Sequence, residues 1–153
     1  MWIPYENIDP VVLNAPTRKG ISTFGAVCAA DGRFTYMISP TFNAMTFQVF
    51  IKQLLRRRRR NRKMVIILDN ARWHHAKLIK PWLHKHRHLI KLFFLPPYSP
   101  HLNPMERVWK LTRYLCTHNQ YFDSIFVLSQ QIQQQFEKWN KRNYELFRLC
   151  AII

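Results

Sequence analysis

The stretch Leu95–Trp109, which reads LPPYSPHLNPMERVW, decides the fold of this chain. An apolar run ends at its first residue, and three prolines then stiffen the loop because each one fixes φ. Asn is a favoured N-cap and proline fits the first helical position, so the pattern predicts a helix that begins at Asn103-Pro104. Glu106 falls in the first turn at the spacing of a capping box. The loop therefore either aims this carboxylate at a site or uses it only to cap the helix.

A second apolar run, Met64–Leu68, ends directly before Asp69. Its length and its β-branched residues predict a strand that is buried on both faces. The segment that leads to the next apolar run is long enough for a crossover helix, which would make the two strands parallel neighbours. Ligands of open α/β sheets bind at the carboxyl ends of the strands, so we expect Asp69 and Glu106 to face one crevice.

Two carboxylates that converge without a partner repel each other, and a divalent cation removes that repulsion. Mg²⁺ takes oxygen ligands and is commonly held by one or two carboxylates together with substrate phosphates. Paired metal ions can activate the attacking oxygen and stabilise the leaving oxygen in phosphodiester cleavage. The sequence therefore predicts a site for Mg²⁺ (or Mn²⁺) at Asp69 and Glu106.

The residues Leu68-Asp69-Asn70-Ala71 and His74, followed by the string at 95–109, resemble the catalytic domain of DDE transposases. The chain is similar to the mariner-like bacterial insertion-sequence group, also called DDE superfamily endonucleases, from about Trp2 to the helix after Asp123. The resemblance implies a ribonuclease H-like α/β fold, a mixed sheet flanked by helices. It also implies metal-dependent DNA strand cleavage and strand transfer during transposition, with Asp69 and Glu106 as catalytic metal ligands.

The resemblance further implies that His74 lies near the metal site and contacts phosphate. From its position alone, a histidine that starts a helix and packs on the sheet is an equally good interpretation. Three other histidines, at 84, 86 and 88, recur with a period of two, which would scatter their rings over different faces of a helix. That spacing, with no cysteine nearby, argues against a structural zinc site.

The sequence departs from the family at its beginning. These transposases carry three carboxylates, and the first Asp lies on the central strand, upstream of the segment that Trp2-Ile3-Pro4 resembles. The chain begins too late to contain that Asp, and Glu6, Asp9 and Asp31 do not lie in apolar strands. We therefore expect the C-terminal portion of the domain, without its first, central strand and with exposed strand edges beside the gap. The residues leave open whether the chain cleaves DNA alone, is half of a split reading frame or is a remnant.

Charge points to a polyanionic partner. The chain has 24 Lys and Arg against 8 Asp and Glu, a net charge of +16, and nucleic acid is the first candidate for its partner. A basic helix end that suits the helix dipole, or a localisation signal, are the alternatives for the arginine run. The residues predicted to contact DNA are Arg56, Arg57, Arg58, Arg59, Arg60, Arg62, Lys63, His74, Arg107 and Lys110.

Length and composition indicate one domain over residues 1–153, with an irregular segment at 1–20. No apolar run approaches the roughly 18 residues that a membrane span needs, and the N-terminus has no signal-peptide pattern. Three cysteines without a CxxC spacing favour reduced core residues. We expect a cytoplasmic bacterial protein that joins the nucleoid when it binds DNA. Its partners would be transposon ends and target DNA, with a second copy or an upstream fragment of the transposase.

Hydrophobic periodicity predicts the remaining elements. They are an edge strand at Val11–Leu13, strands at Ile21–Ala30 and Arg33–Ile38 joined at Asp31-Gly32, a helix from Thr41 to about Arg60, a helix over 77–88 that Pro81 kinks or restarts, a strand at Leu89–Leu95, a helix at about Ser124–Asn140, and an apolar tail that docks. Asp31 is expected to be a turn residue with positive φ rather than a third ligand. The alternative function is a non-catalytic, transposase-derived DNA-binding or regulatory protein.

Overall fold

The computed structural model describes residues 20–151, so the predicted strand at Val11–Leu13 lies outside the described residues. The elements follow the predicted order of hairpin, helix, strand, helix, strand and helices. They are β1 (Thr23–Val27), β2 (Phe34–Ile38), α1 (Ala44–Arg56), β3 (Met64–Leu68), α2 (Lys80–Lys85), β4 (Ile90–Phe94), α3 (Pro104–Cys116), α4 (Ile125–Trp139) and α5 (Tyr144–Cys150). None of these helices is both long and apolar enough to cross a membrane.

The hairpin of β1 and β2 is antiparallel, with Thr23 opposite Ile38. Its turn is longer than two residues, and Gly32, with φ of 69°, is the residue in the left-handed region. The expectation of positive φ at Asp31 is therefore wrong. Asp31 uses its carboxylate instead, which accepts from the backbone N–H and the Nε–H of Arg33 at 3.2 and 2.9 Å. A Cβ at Gly32 would collide with the backbone of Asn143, so the turn also packs closely on the start of α5.

β3 and β4 are parallel, with Met64 opposite Ile90 and Leu68 opposite Phe94, as predicted. The prediction that β3 is buried on both faces is wrong. Leu68 is buried, but Val65 and Ile67 are 54% and 55% exposed. Alternate residues of a strand point to opposite faces, and only the face that packs on α1 is covered.

The two strand pairs form separate two-stranded sheets within residues 20–151. One helix, α1, nevertheless packs on both sheets: its buried Phe47, Phe50 and Ile51 share a core with Phe24 of β1 and Leu68 of β3. This helix ends at Arg56, earlier than predicted, and Asn43 caps its N-terminus by accepting from the Thr46 N–H at 2.9 Å.

A second core lies on the other face of the hairpin. It joins Phe34 of β2 to Val108 of α3, Phe136 and Trp139 of α4, and Leu146 of α5. The predicted docking of the C-terminal tail is confirmed by the burial of Leu146 in α5. This core holds α3 in place, and α3 carries Glu106 in its first turn.

Candidate functional site

The carboxyl ends of β3 and β4 are joined by two hydrogen bonds. The Leu95 N–H donates to the Leu68 carbonyl at 2.8 Å, and the Asn70 side-chain amide donates to the Leu95 carbonyl at 2.6 Å. The polypeptide that leaves β3 at Asp69 therefore lies beside the polypeptide that enters the proline-rich loop. This is the sheet edge at which ligands of parallel strands bind.

One oxygen of Asp69 is engaged within the protein and the other is not. Oδ1 accepts from the Ala71 N–H at 3.1 Å and lies 3.1 Å from Nδ1 of His74. Within residues 20–151, Oδ2 has no hydrogen-bond partner, and the side chain is 58% exposed. Asp69 thus presents a fixed carboxylate with one oxygen open to a cation.

His74 supports this carboxylate from the protein side. Its side chain is only 12% exposed, and its ring centroid lies 4.3 Å from that of Phe47. Burial lowers the pKa of His74 below its ordinary 6.5, although the hydrogen bond and charge of Asp69 act in the opposite direction. The imidazole is therefore neutral at pH 7.

The neutral ring carries its proton on Nδ1. Nδ1 of His74 lies 3.1 Å from both the backbone oxygen and Oδ1 of Asp69, and both of these atoms are acceptors. Nε2 is then unprotonated, so it offers a lone pair rather than a proton. In this state His74 orients Asp69 and does not bring a positive charge to the site.

Two residues that the sequence analysis did not single out complete this edge. Asn70 links Leu95 to His75, because its Oδ1 lies 3.1 Å from the Nε2 of His75. The His75 ring stacks on Phe94 at the end of β4, with centroids 4.3 Å apart. The sequence signals for Asn70 were its position directly after Asp69 at a strand end and its place in the Leu68-Asp69-Asn70-Ala71 motif.

Glu106 occupies the third position of α3 and is exposed. The predicted capping box is wrong in one respect, because the Asn103 N–H that Glu106 would accept from donates to the Pro100 carbonyl at 2.9 Å. Asn103 itself is the N-cap, as predicted, and accepts from the Met105 N–H at 3.1 Å. The Glu106 carboxylate makes no hydrogen bond within residues 20–151, so it does not cap the helix.

Asp69 and Glu106 have the donor chemistry that a hard divalent cation requires. Each offers carboxylate oxygen that no protein donor occupies in the described part of the chain, and Mg²⁺ commonly completes its shell with water and substrate phosphates. No group of three or more His, Cys, Asp or Glu among residues 20–151 has the arrangement of a metal site. Asp69 and Glu106 are therefore two separate candidate ligands, and their meeting in one metal site stays a prediction.

The residues predicted to contact DNA fall into separate regions. Arg56, Arg57, Arg59, Arg60, Arg62 and Lys63 are exposed, whereas Arg58 is half-buried. This run precedes β3, so it lies at the opposite end of that strand from Asp69. Lys110 is exposed on α3, but Arg107 donates from Nη1 to the Leu149 carbonyl at 2.9 Å and so holds the end of α5.

Comparison with known proteins gives a family for the chain. A family model described as DDE superfamily endonuclease matches residues 7–129. The chain is 38% identical over 90 residues to the uncharacterized protein y4pE/y4sA of Sinorhizobium fredii (strain NBRC 101917 / NGR234), a match that covers 59% of this chain and 63% of that protein. It is 25% identical over 113 residues to the insertion element IS630 uncharacterized 39 kDa protein of Shigella sonnei, covering 74% of this chain and 33% of that protein.

A solved structure supports the fold. The structure described as the crystal structure of the Mos1 strand transfer complex matches with a TM-score of 0.65 and 20% sequence identity. The match covers 94% of this chain and 44% of that chain. This likeness confirms the predicted ribonuclease H-like α/β fold, and the chain spans less than two thirds of the length of each of the three proteins.

Proposed function

The chain belongs to the DDE superfamily of endonucleases as a transposase-type domain, and from this premise we propose that it takes part in metal-dependent cleavage and joining of DNA strands. In this reaction water attacks a phosphodiester at a transposon end, and the freed 3′-hydroxyl then attacks target DNA. The observation that supports the proposal most directly is that two carboxylates, Asp69 after β3 and Glu106 after β4, each keep an oxygen without a protein donor among residues 20–151. The reaction would take place on DNA in the bacterial cytoplasm, at the nucleoid.

Asp69 and Glu106 would hold Mg²⁺ or Mn²⁺, with Oδ2 of Asp69 as the open oxygen. When bound, such a cation activates an attacking oxygen and neutralises charge on the phosphate. His74 is a positioning residue, because its Nδ1–H holds the other oxygen of Asp69. Asn70 fixes the edge on which both carboxylates depend by bonding the Leu95 carbonyl.

The basic residues would bind the phosphate backbone and position the DNA without reading its sequence. The exposed members of the arginine run other than Arg57, together with Lys110, are available for such contacts among residues 20–151. Arg107 contributes less in this proposal, because its guanidinium already donates to the carbonyl at the end of α5.

A further polypeptide segment would complete the metal site. One observation supports this: within residues 20–151 the two sheets are separate, so each has strand edges with no partner strand there. Unpaired strand edges readily accept another strand. We propose that a strand from an upstream fragment of the transposase, or from a second copy, pairs here and supplies the remaining carboxylate.

Nicking of supercoiled plasmid with Mn²⁺ tests the proposal. It is measured for the chain alone and for the chain mixed with a polypeptide translated from the source DNA immediately upstream of the Met1 codon. Asp69→Asn and Glu106→Gln remove one charge each without changing shape, so each should lower nicking at least 100-fold, a typical cost of removing a group that stabilises a transition state. Asp123→Asn, an exposed acid at the start of α4, is the matched control and should nick normally. Nicking at the wild-type rate by both the Asp69 and the Glu106 variant would contradict the assignment.

The second candidate function is non-catalytic DNA binding or regulation. The net charge of +16 favours it. It predicts a duplex affinity that falls steeply with salt and is the same in EDTA as in Mn²⁺. It also predicts that the chain does not nick plasmid, either alone or mixed with the upstream polypeptide. Metal-dependent nicking would exclude it.

A further inference from the structure

The arginine loop, residues 56–63, has a defined conformation. Arg58 donates from Nη1 to the carbonyls of Arg59 and Arg62 at 3.1 and 2.6 Å, and Asn61 takes a positive φ of 59°. Asn tolerates this left-handed conformation better than most residues. The half-buried Arg58 thus braces the loop, while its neighbours Arg59, Arg60 and Arg62 remain exposed.

A polar network ties this loop to the end of α4. The Arg57 guanidinium donates to Oδ1 of Asn140. The Asn140 amide donates to Glu137 at 3.3 Å, and Glu137 in turn accepts from the Tyr36 hydroxyl at 2.6 Å. Burial and the neighbouring Glu137 raise the pKa of Tyr36 to about 12, so it stays protonated and remains a donor.

Two further cations follow directly after this network. Lys141 and Arg142 are exposed in the turn between α4 and α5, and they come immediately after Asn140. Two of the three nearby acids are engaged, since Glu137 bonds Tyr36 and Asp31 pairs with Arg33 at 2.9 Å. The third, Glu145, is exposed in the first turn of α5 and offsets one of the two cations at most. The positive charge of Lys141 and Arg142 therefore adds to that of the arginine loop.

The arginine loop lies far from Asp69. The arginine loop ends at Lys63, directly before β3, and Asp69 directly follows β3. Six residues of strand at about 3.3 Å each separate the two by roughly 20 Å. That length equals about 6 base pairs of B-form DNA at 3.4 Å per pair, so one phosphate cannot touch both places.

We propose that the arginine loop, Lys141 and Arg142 form a second phosphate-backbone site, which holds duplex DNA several base pairs away from the reacting phosphodiester. The proposal deepens the DNA binding proposed above and rests on it. It assigns DNA contacts to Lys141 and Arg142. It also gives Arg57 and Arg58 positioning roles, because their guanidinium groups bind Asn140 and the carbonyls of the loop.

The test measures the affinity of a 24-base-pair duplex for the whole chain across a salt series in EDTA. The double variant Lys141→Gln and Arg142→Gln should make the negative slope of log K against log salt shallower by about 1.8, since each phosphate contact contributes about 0.9 to its magnitude. At 0.1 M salt this corresponds to a loss of affinity on the order of 10-fold to 100-fold. The control variant, Arg113→Gln with Arg148→Gln, removes the same charge from exposed positions on α3 and α5 and should change the slope by less than half as much.

The outcomes separate this inference from the proposed function. If the wild-type chain binds duplex DNA and the Lys141 and Arg142 variant matches the control, this site is refuted while DNA binding stands. If the wild-type chain binds no duplex, both are refuted. Binding to phosphatidylglycerol vesicles, lost in the variant while duplex affinity is kept, would identify a membrane surface and overturn the inference. With Mn²⁺ present, Asp69→Asn should change duplex affinity by the same factor in the wild-type chain and in the Lys141 and Arg142 double variant, because sites this far apart act independently.

Discussion

At the scale of single residues, the site depends on how Asp69 divides its two oxygens. Oδ1 is held by the Ala71 N–H and by the buried His74, and this leaves Oδ2 as the oxygen that can accept a cation. The neutral imidazole stabilises the orientation of the carboxylate without adding a charge that would compete with a metal. His74 therefore matters to the site mainly through Asp69.

The burial of His74 predicts a pH dependence of stability. Its pKa lies below 6.5 in the folded chain and near 6.5 in the unfolded chain, so the unfolded state binds more protons below that pH. The stability that His74 contributes is therefore fully present above pH 6.5 and is lost as the pH falls through 6.5 toward the folded pKa. Urea unfolding at pH 7.5 and 5.0 should show a larger loss for the wild-type chain than for His74→Gln.

NMR titration of the His74 ring gives the direct check on that prediction. A midpoint for His74 at or above the ordinary 6.5 would contradict the assignment of a buried, neutral imidazole.

At the scale of elements, the helix start at Asn103-Pro104 could be predicted from sequence because its cap is a local interaction. The role of Glu106 in the cap could not, since it depends on which group takes the Asn103 N–H. The 3₁₀ turn at Pro100–Leu102 brings the Pro100 carbonyl to that N–H and leaves the carboxylate free. The burial of β3 was mispredicted for a related reason, because a run such as Val65–Ile67 does not reveal whether anything covers its second face.

Two substitutions in the first turn of α3 should therefore have different effects on stability. Asn103→Ala removes the side chain that accepts from the Met105 N–H, and the loss of such a cap costs about 1 kcal/mol in the free energy of unfolding. Glu106→Gln removes no cap contact and should change that free energy by less than about 0.5 kcal/mol. Chemical denaturation measures both, and a larger loss for Glu106→Gln would show that Glu106 is a structural cap.

At the scale of the whole molecule, two small sheets share the helix α1 but no hydrogen bonds in the described part of the chain. The sequence resemblance led us to expect this gap, and it also indicated the family, because the string at 95–109 is highly specific. The sequence alone could not predict that the arginine loop contacts the 140–142 turn, since Arg57 and Asn140 lie far apart along the chain and meet only in the fold. The molecule thus has a carboxylate end and a basic end, separated by the length of β3.

The central claim is that Asp69 and Glu106 together form one site for a divalent cation. Mn²⁺ binding measured by electron paramagnetic resonance tests it most directly. The wild-type chain should bind Mn²⁺, and Asp69→Asn and Glu106→Gln should each weaken binding at least tenfold, because each removes one of the two carboxylate ligands. Asp123→Asn should bind as the wild-type chain does. If both site variants keep wild-type affinity for Mn²⁺, the two carboxylates do not form a metal site in this chain.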